Sequence, residues 1–399
     1  MTQKRLLLGA CLLYFVSAAA SYAYFSSQAV TSTTNQVTTG NDGSLVIDPA
    51  APRTEACPLN GILYTVKERE IWEKRRPLAV MVENSPDARP HSGLNRSDIV
   101  YEAVAEGGVT RFMPIYLCDA ARSDVVVAPV RSVRTYFIDW VSEYGATPLF
   151  AHVGGANCSA DKLPSGHFGP CKTDKRAQAI EQLGQYGWRY AKGNDLDQFS
   201  IGAPTYIRNE TRTGKPVATE HSVEARLNRL YQVGADRGWT NLDPKGVDWT
   251  ENFVPFKFKT EATVDQRGTV ATISHDFWSG YKQFDARWDY DAAANLYKRS
   301  TGGEPHLDLD TGEPLTAKNV VIIVTKELSS IDELKHSLYA TAGQGEALVF
   351  QDGQAIEAKW SKKDRLSRMV ITTKKGEPVA FNPGRIWLAV VGLNTPVAY

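Results

Sequence analysis

Apolar and polar positions divide the chain into four stretches of different character. The first is an uncharged, largely apolar run from Leu6 to Phe25, preceded by Lys4 and Arg5. As a helix it would rise about 30 Å, the hydrocarbon thickness of a bilayer. No Lys or Arg follows until Arg53, so the positive charge precedes the span. That asymmetry predicts a single-pass signal-anchor in the cell membrane, with a cytoplasmic amino terminus and an extracytoplasmic body. Two rival readings share this outcome. Ser21-Tyr22-Ala23 or Ala18-Ala19-Ala20 offers a small-residue cleavage site, and Leu8-Gly9-Ala10-Cys11 looks like an acylation box, although the apolar run lies mostly after Cys11. The second stretch, 26–56, is rich in Ser, Thr, Asn, Gln and Gly and reads as a flexible linker.

In the third stretch, 57–238, short apolar runs of strand length recur at Leu78–Val82, Ile99–Val104, Arg111–Leu117, Val125–Ala128 and Leu149–Val153. Several are too continuous to be half-exposed, which predicts a covered sheet. Ser132–Tyr144 places Val133, Tyr136, Phe137, Trp140, Val141 and Tyr144 at helical spacing, and Lys175–Gln185 and Ser222–Arg237 predict further helices. After Trp239 the pattern alternates in short strands separated by turns. Asp352-Gly353 lies between Ala347–Phe350 and Ala355–Trp360, and Lys374-Lys375-Gly376-Glu377 marks a second hairpin. Val320–Thr325 and Arg385–Val391 predict buried strands, and Ile331–Ala340 a helix. The expected fold is an α/β N-terminal domain with a mixed, covered sheet, followed by a mostly β (α+β) C-terminal domain over 252–399. The boundary falls in the Gly-, Pro- and Asp-containing stretch Gly238–Asn252, and no internal repeat is visible.

Charge narrows the function classes. Lys plus Arg and Asp plus Glu are each 45, so no global field draws the chain to nucleic acid, and any anion site must be local. Outside the apolar run four cysteines remain, Cys57, Cys118, Cys158 and Cys171, an even count that suits disulfides in an oxidising compartment. Pro164, Gly166, Gly169 and Pro170 make 158–171 a loop, which favours Cys158 with Cys171 and leaves Cys57 for Cys118. Free thiols, or a metal site using His152 and His167, are the alternatives; the spacing lacks the tight pairs of a zinc site, and no metal or other cofactor is expected.

Candidate chemistry gathers at strand ends, where sheet-based folds hold ligands. Glu83, Asn84 and Arg89 lie in the first polar loop. Glu102, Glu106 and Arg111 form the second group, and Arg131, Ser132 and Arg134 open the long helix, where backbone N–H groups and the helix dipole favour an anion. The arginines add planar donors suited to phosphate or carboxylate. Equally, they can be spent on Glu83, Glu102 or Glu106 as internal salt bridges. Ser132 has no Gly-x-Ser-x-Gly elbow around it to mark it as a nucleophile, and the glutamate spacing fixes no carboxylate separation for glycoside cleavage. His152 ends a strand before Gly154-Gly155, where a ligand or a satisfied core histidine is expected, and His221 before the Ser222 helix is equally open. His306, Asp308 and Asp310 would share one face of a strand, but Thr311-Gly312 marks a polar turn instead.

A family resemblance rests on specific segments. Arg76-Pro77-Leu78-Ala79-Val80-Met81-Val82-Glu83-Asn84, Ala88-Arg89-Pro90, Glu106-Gly107-Gly108-Val109-Thr110-Arg111, Pro129-Val130-Arg131-Ser132-Val133-Arg134 and Asn382-Pro383-Gly384-Arg385-Ile386-Trp387 occur in order. They resemble the YerB-like family of exported bacterial lipoproteins, a two-part domain of unknown function, between Arg76 and Val391. Glu83 stands where that pattern leads us to expect Asp, and His91 where we expect Gln. The resemblance implies an extracytoplasmic, envelope-associated role. Two functions follow as expectations: an accessory protein binding an anionic or cell-wall glycan-derived ligand through Arg111, Arg131 and Arg134, oriented by Glu102 and Glu106; or a hydrolase of envelope polymers using a carboxylate acid/base with arginine stabilisation. A third reading is an interaction scaffold in which the arginines serve stability alone.

Overall fold

Alternation within the apolar runs decides how the chain folds. In Val320–Ile323, Val321 and Ile323 join one core and Val320 and Ile322 the other, so both faces of the strand are buried. The same two-sided burial holds through the centre of a mixed, 11-stranded sheet, whose outer strands over Gln354–Lys362 and Val370–Thr373 leave one face partly exposed. The computed structural model describes residues 47–157, 173–189, 193–243 and 245–399. The expected anchor over Leu6–Phe25 and the Cys158–Cys171 bridge lie outside the described residues, among which no helix is long and apolar enough to cross a membrane.

The first half contributes β1 (Leu78–Val80), β2 (Val82–Glu83), β3 (Ile99–Glu106), β4 (Val109–Tyr116), helix α1 (Thr135–Val141), β5 (Leu149–His152), α2 (Ala179–Gln185), β6 (Asp195–Asp197), β7 (Val223–Arg226) and α3 (Leu227–Asp236). The second half is mostly β: β8 (Thr272–His275), β9 (Ala286–Asp291), β10 (Leu296–Thr301), β11 (Asn319–Val324), β12 (Glu327–Leu328), β13 (Leu338–Tyr339), β14 (Gly343–Gln351), β15 (Gln354–Lys362), β16 (Val370–Thr373) and β17 (Ile386–Val391). The main sheet runs β16-β15-β14-β11-β17-β3-β4-β1-β5-β6, with β2 beside β4. β17 pairs in parallel with β11 on one side and with β3 on the other. A strand from the end of the chain thus completes the sheet begun by the first half. Tyr136, Phe137 and Trp140 of α1 cover one face. Leu227 and Leu230 of α3, together with Ile273, Trp288 and Tyr297 of β8, β9 and β10, cover the other.

Three sequence expectations change. The helix expected over Ser222–Arg237 begins at Leu227, because Val223–Arg226 pairs as β7 with Tyr206–Arg208 and with Val126–Val127. No helix forms over Ile331–Ala340; the Asp332 carboxylate accepts the Leu334 and His336 N–H groups and closes a turn, and the chain then enters β13. The long helix is α1, only seven residues, starting after Arg134. Cys57 and Cys118 form a disulfide, tying the start of the folded body to the end of β4.

Candidate functional site

β1, β5 and β6 run parallel, so their C-terminal ends face the same edge of the sheet. The loop from Pro129 to Arg134 is threaded between those ends by backbone hydrogen bonds. Arg131 N donates to Met81 O (2.8 Å), Val153 N to Arg131 O (3.0 Å) and Val133 N to Gly154 O (3.0 Å). This lacing brings arginines from β4 and from the loop to one place.

There Arg111 Nη2 donates to Glu106 Oε1 at 3.0 Å, and the Arg134 guanidinium bonds to Glu106 Oε2 through Nε at 2.7 Å and through Nη2. Both arginines also point Nη1 at the Ser132 carbonyl, so Ser132 contributes its backbone to the site. Arg131 Nε donates to Glu83 Oε2 at 3.0 Å; Glu83 also accepts from Ser85 and lies 2.8 Å from His221 Nδ1. Arg111 and Arg134 are almost sealed, at 4% and 3% side-chain exposure, whereas Arg131 keeps 28%. Burial pushes the Glu106 carboxyl up, but Arg111 and Arg134 outweigh it and bring it down to about 2. Burial likewise works against Glu83, yet Arg131 and Arg111 hold it below its ordinary range. Burial and the neighbouring Arg134 lower Arg111 to about 10. Three guanidinium groups thus meet two ionised carboxylates, and one positive charge is left over, with Arg111 Nε buried and lacking a hydrogen-bond partner.

Glu102 is not part of this group. A register shift between Val104 and Glu106 breaks the alternation of β3, so the two glutamates emerge on opposite faces. Glu102 Oε1 accepts from Arg299 Nη2 at 2.8 Å and Oε2 from Trp387 Nε1 at 3.0 Å, in a fully buried pair beneath the second-half sheet. Asn84 and Arg89 belong to the same inner network. Asn84 Nδ2 donates to Thr110 Oγ1 (2.7 Å), whose hydroxyl donates to Glu102, and Arg89 Nε donates to Asn84 Oδ1 (3.1 Å). His91 and His306 extend it, with Nδ1 and Nε2 2.8 Å apart.

His152 is sealed. Its Nε2 lies 2.6 Å from Asp195 Oδ1 and its Nδ1 2.9 Å from the Gly154 carbonyl, so both ring nitrogens face acceptors, which the imidazolium alone satisfies. Burial opposes that charge, but Asp195 and Asp197 raise the imidazole above its ordinary range. Arg189 Nη1 bridges Asp195 (2.8 Å) and Asp197 (3.1 Å), and Asp197 accepts from Gly154 N (2.9 Å). His152 is thus held by Asp195 and by the Gly154-Gly155 loop. Sequence reasoning misses Asp195, Asp197, Arg189 and Arg299. The Asp-Leu-Asp alternation is the available signal for the first two, and for Arg299 it is the family-like segment Tyr297-Lys298-Arg299. The turn reading of 306–312 holds, since Gly312 N donates to Asp308 O.

The chain matches the family described as protein of unknown function (DUF3048), the N-terminal domain over residues 64–199 and the C-terminal domain over residues 273–388. It is 26% identical over 353 residues to a protein of Bacillus subtilis strain 168 named "Putative lipoprotein YerB", a match spanning 86% of this chain and 88% of that one. The crystal structure of YerB from Bacillus subtilis shares its fold, with a TM-score of 0.66 at 23% identity, over 87% of this chain and 100% of the other.

Proposed function

Because this chain belongs to the DUF3048 family, whose N- and C-terminal domains it carries in order, we propose that it is an exported, membrane-associated protein of the cell envelope that binds an anionic or glycan-derived ligand at the Arg131 edge of its sheet. Export is supported by the lipoprotein name of the Bacillus relative. The apolar run Leu6–Phe25 behind Lys4 and Arg5 supports a single-pass anchor with the body outside. The observation that carries the binding role is the unbalanced cluster: Arg111 and Arg134 share the single carboxylate of Glu106, and Arg131, bonded to Glu83 through Nε, is the member that reaches solvent. A ligand carboxylate or phosphate would neutralise the remaining charge through two parallel N–H donors. An accessory role suits this cluster better than an acid-catalysed hydrolysis, since Glu106, at about 2, is no proton donor near neutral pH and Glu102 is locked beneath Arg299.

The test is calorimetric titration of the full chain with N-acetylmuramic acid, inorganic phosphate and the neutral N-acetylglucosamine. Binding of an anion that weakens about tenfold or more in Arg131→Gln is expected, the size of a charge-assisted hydrogen bond. Equal binding of the neutral sugar, or an unchanged Arg131→Gln, sinks the reading.

A further inference from the structure

A cleft lies in the C-terminal half, away from the arginine cluster. It is an open hollow of about 520 Å³ between the turn after β8, the start of β12 and the loop after β17, with Asp276, Trp278, Tyr281, Glu327, Leu393 and Pro396 in its wall. Trp278 and Tyr281 meet edge to face, ring centroids 5.6 Å apart. Tyr281 is fixed from behind by Gly108, where φ is +81° and an added Cβ would fall 2.3 Å from the ring. Glu327 Oε1 accepts the Trp278 indole N–H at 2.7 Å, which holds the acid and the ring as one unit. Leu393, 64% exposed, supplies an apolar rim.

Glu327 differs from four other inward-facing glutamates. Glu83, Glu102, Glu106 and Glu143 each face an arginine. Among the described residues neither Glu327 nor Asp276 forms an ion pair; Glu327 receives the neutral donors of Trp278 and Ser337, with the Tyr339 hydroxyl close by. Burial accordingly lifts its carboxyl above the ordinary range. A half-buried carboxylate without a counter-cation is costly, and aromatic walls attract the same partner. We propose that this cleft binds a primary alkylammonium group of the lysine or diamino-acid kind, its methylenes along Leu393 and Pro396 and its ammonium between Glu327 and the faces of Trp278 and Tyr281. An aliphatic stem ending in a point charge matches a wall that is apolar at the rim and acidic within.

The Trp278 indole N–H touches Glu327, so it reports occupancy directly. The probe is Nα-acetyl-lysine methylamide, titrated to about 10 mM, the millimolar range in which one such contact is measurable, into the full chain carrying 15N-labelled tryptophan, with the Trp278 signal assigned through Trp278→Phe. The uncharged norleucine counterpart is the control. Saturable movement of the Trp278 signal by the lysine probe alone is expected, weakened about tenfold in Glu327→Gln, whose amide oxygen still accepts from the indole. Equal response to norleucine, no response in the wild-type chain, or full affinity in Glu327→Gln overturns the proposal. Each outcome is independent of Arg131.

Discussion

At the scale of single residues, Glu106 is the group on which the arginine site depends. Its carboxylate is the acceptor that separates Arg111 from Arg134, both nearly sealed. Glu106→Gln leaves two cations facing one amide, and breaking a buried pair in this way costs about 3–5 kcal/mol, discounted towards the lower figure because Glu106 itself keeps 29% exposure. Urea unfolding of the variant at pH 7 should show that loss. The pH dependence has a definite sign. The folded carboxyl, at about 2, lies below its ordinary 4.5, so the stabilisation is complete above 4.5 and drains away as the pH falls towards 2. Wild type should lose stability over that window, and Glu106→Gln should lose less of it; parallel pH profiles would refute the assignment. Strand ends as the place, and Arg111, Arg131, Arg134, Glu83 and Glu106 as the cast, were legible in the sequence. That these arginines can be spent on the glutamates as internal salt bridges was legible too, but not which glutamate serves which arginine. Strict alternation puts Glu102 and Glu106 on one face, and only the bulge after Val104, which leaves no compositional mark, parts them.

At the scale of elements, the buried Glu102–Arg299 pair clasps β3 to β10, and Arg299 sits over the rings of Trp387 (4.8 Å), Trp288 (5.1 Å) and Phe112 (5.7 Å). Arg299→Met alone strands a carboxylate under the second sheet and should cost about 3–5 kcal/mol, whereas Arg299→Met with Glu102→Leu removes both charges and should recover most of it. A double-mutant cycle by denaturant unfolding reads the difference, and additive losses would show that the two charges act separately. The long strands were visible because two-sided burial writes continuous apolar runs, as in Val320–Val324. Local spacing misled where tertiary pairing or a side-chain turn took over. Val223–Arg226 carries helical spacing but is drawn into a ladder with Val126–Val127. Ile331–Ala340 is wound by Asp332 into a turn in which Lys335 takes φ +57°, a backbone no helix continues.

For the whole molecule, the decisive contact is parallel and remote: Ile386–Ala389 of β17 pairs residue by residue with Ile99–Glu102 of β3. Nothing in the sequence announces a partner so distant along the chain, because a parallel pair needs no turn of its own. The consequence is physical interdependence of the halves. A fragment of residues 47–252 keeps the Cys57–Cys118 bridge, whose 61-residue separation is worth about 4 kcal/mol in the chain-entropy model. It nevertheless loses the partner of β3 along a central edge, exposes Ile99 and Tyr101, and uncovers Glu102 by removing Arg299 and Trp387. An open apolar edge favours association over folding, and the lost core exceeds what one disulfide returns. The full chain should therefore melt in a single transition and the fragment should aggregate or show no cooperative melt, both read by circular dichroism and light scattering. A soluble, cooperatively melting fragment would mean that the first half closes its sheet without β17, and that the shared ladder is an attachment between finished bodies instead of the seam that completes one.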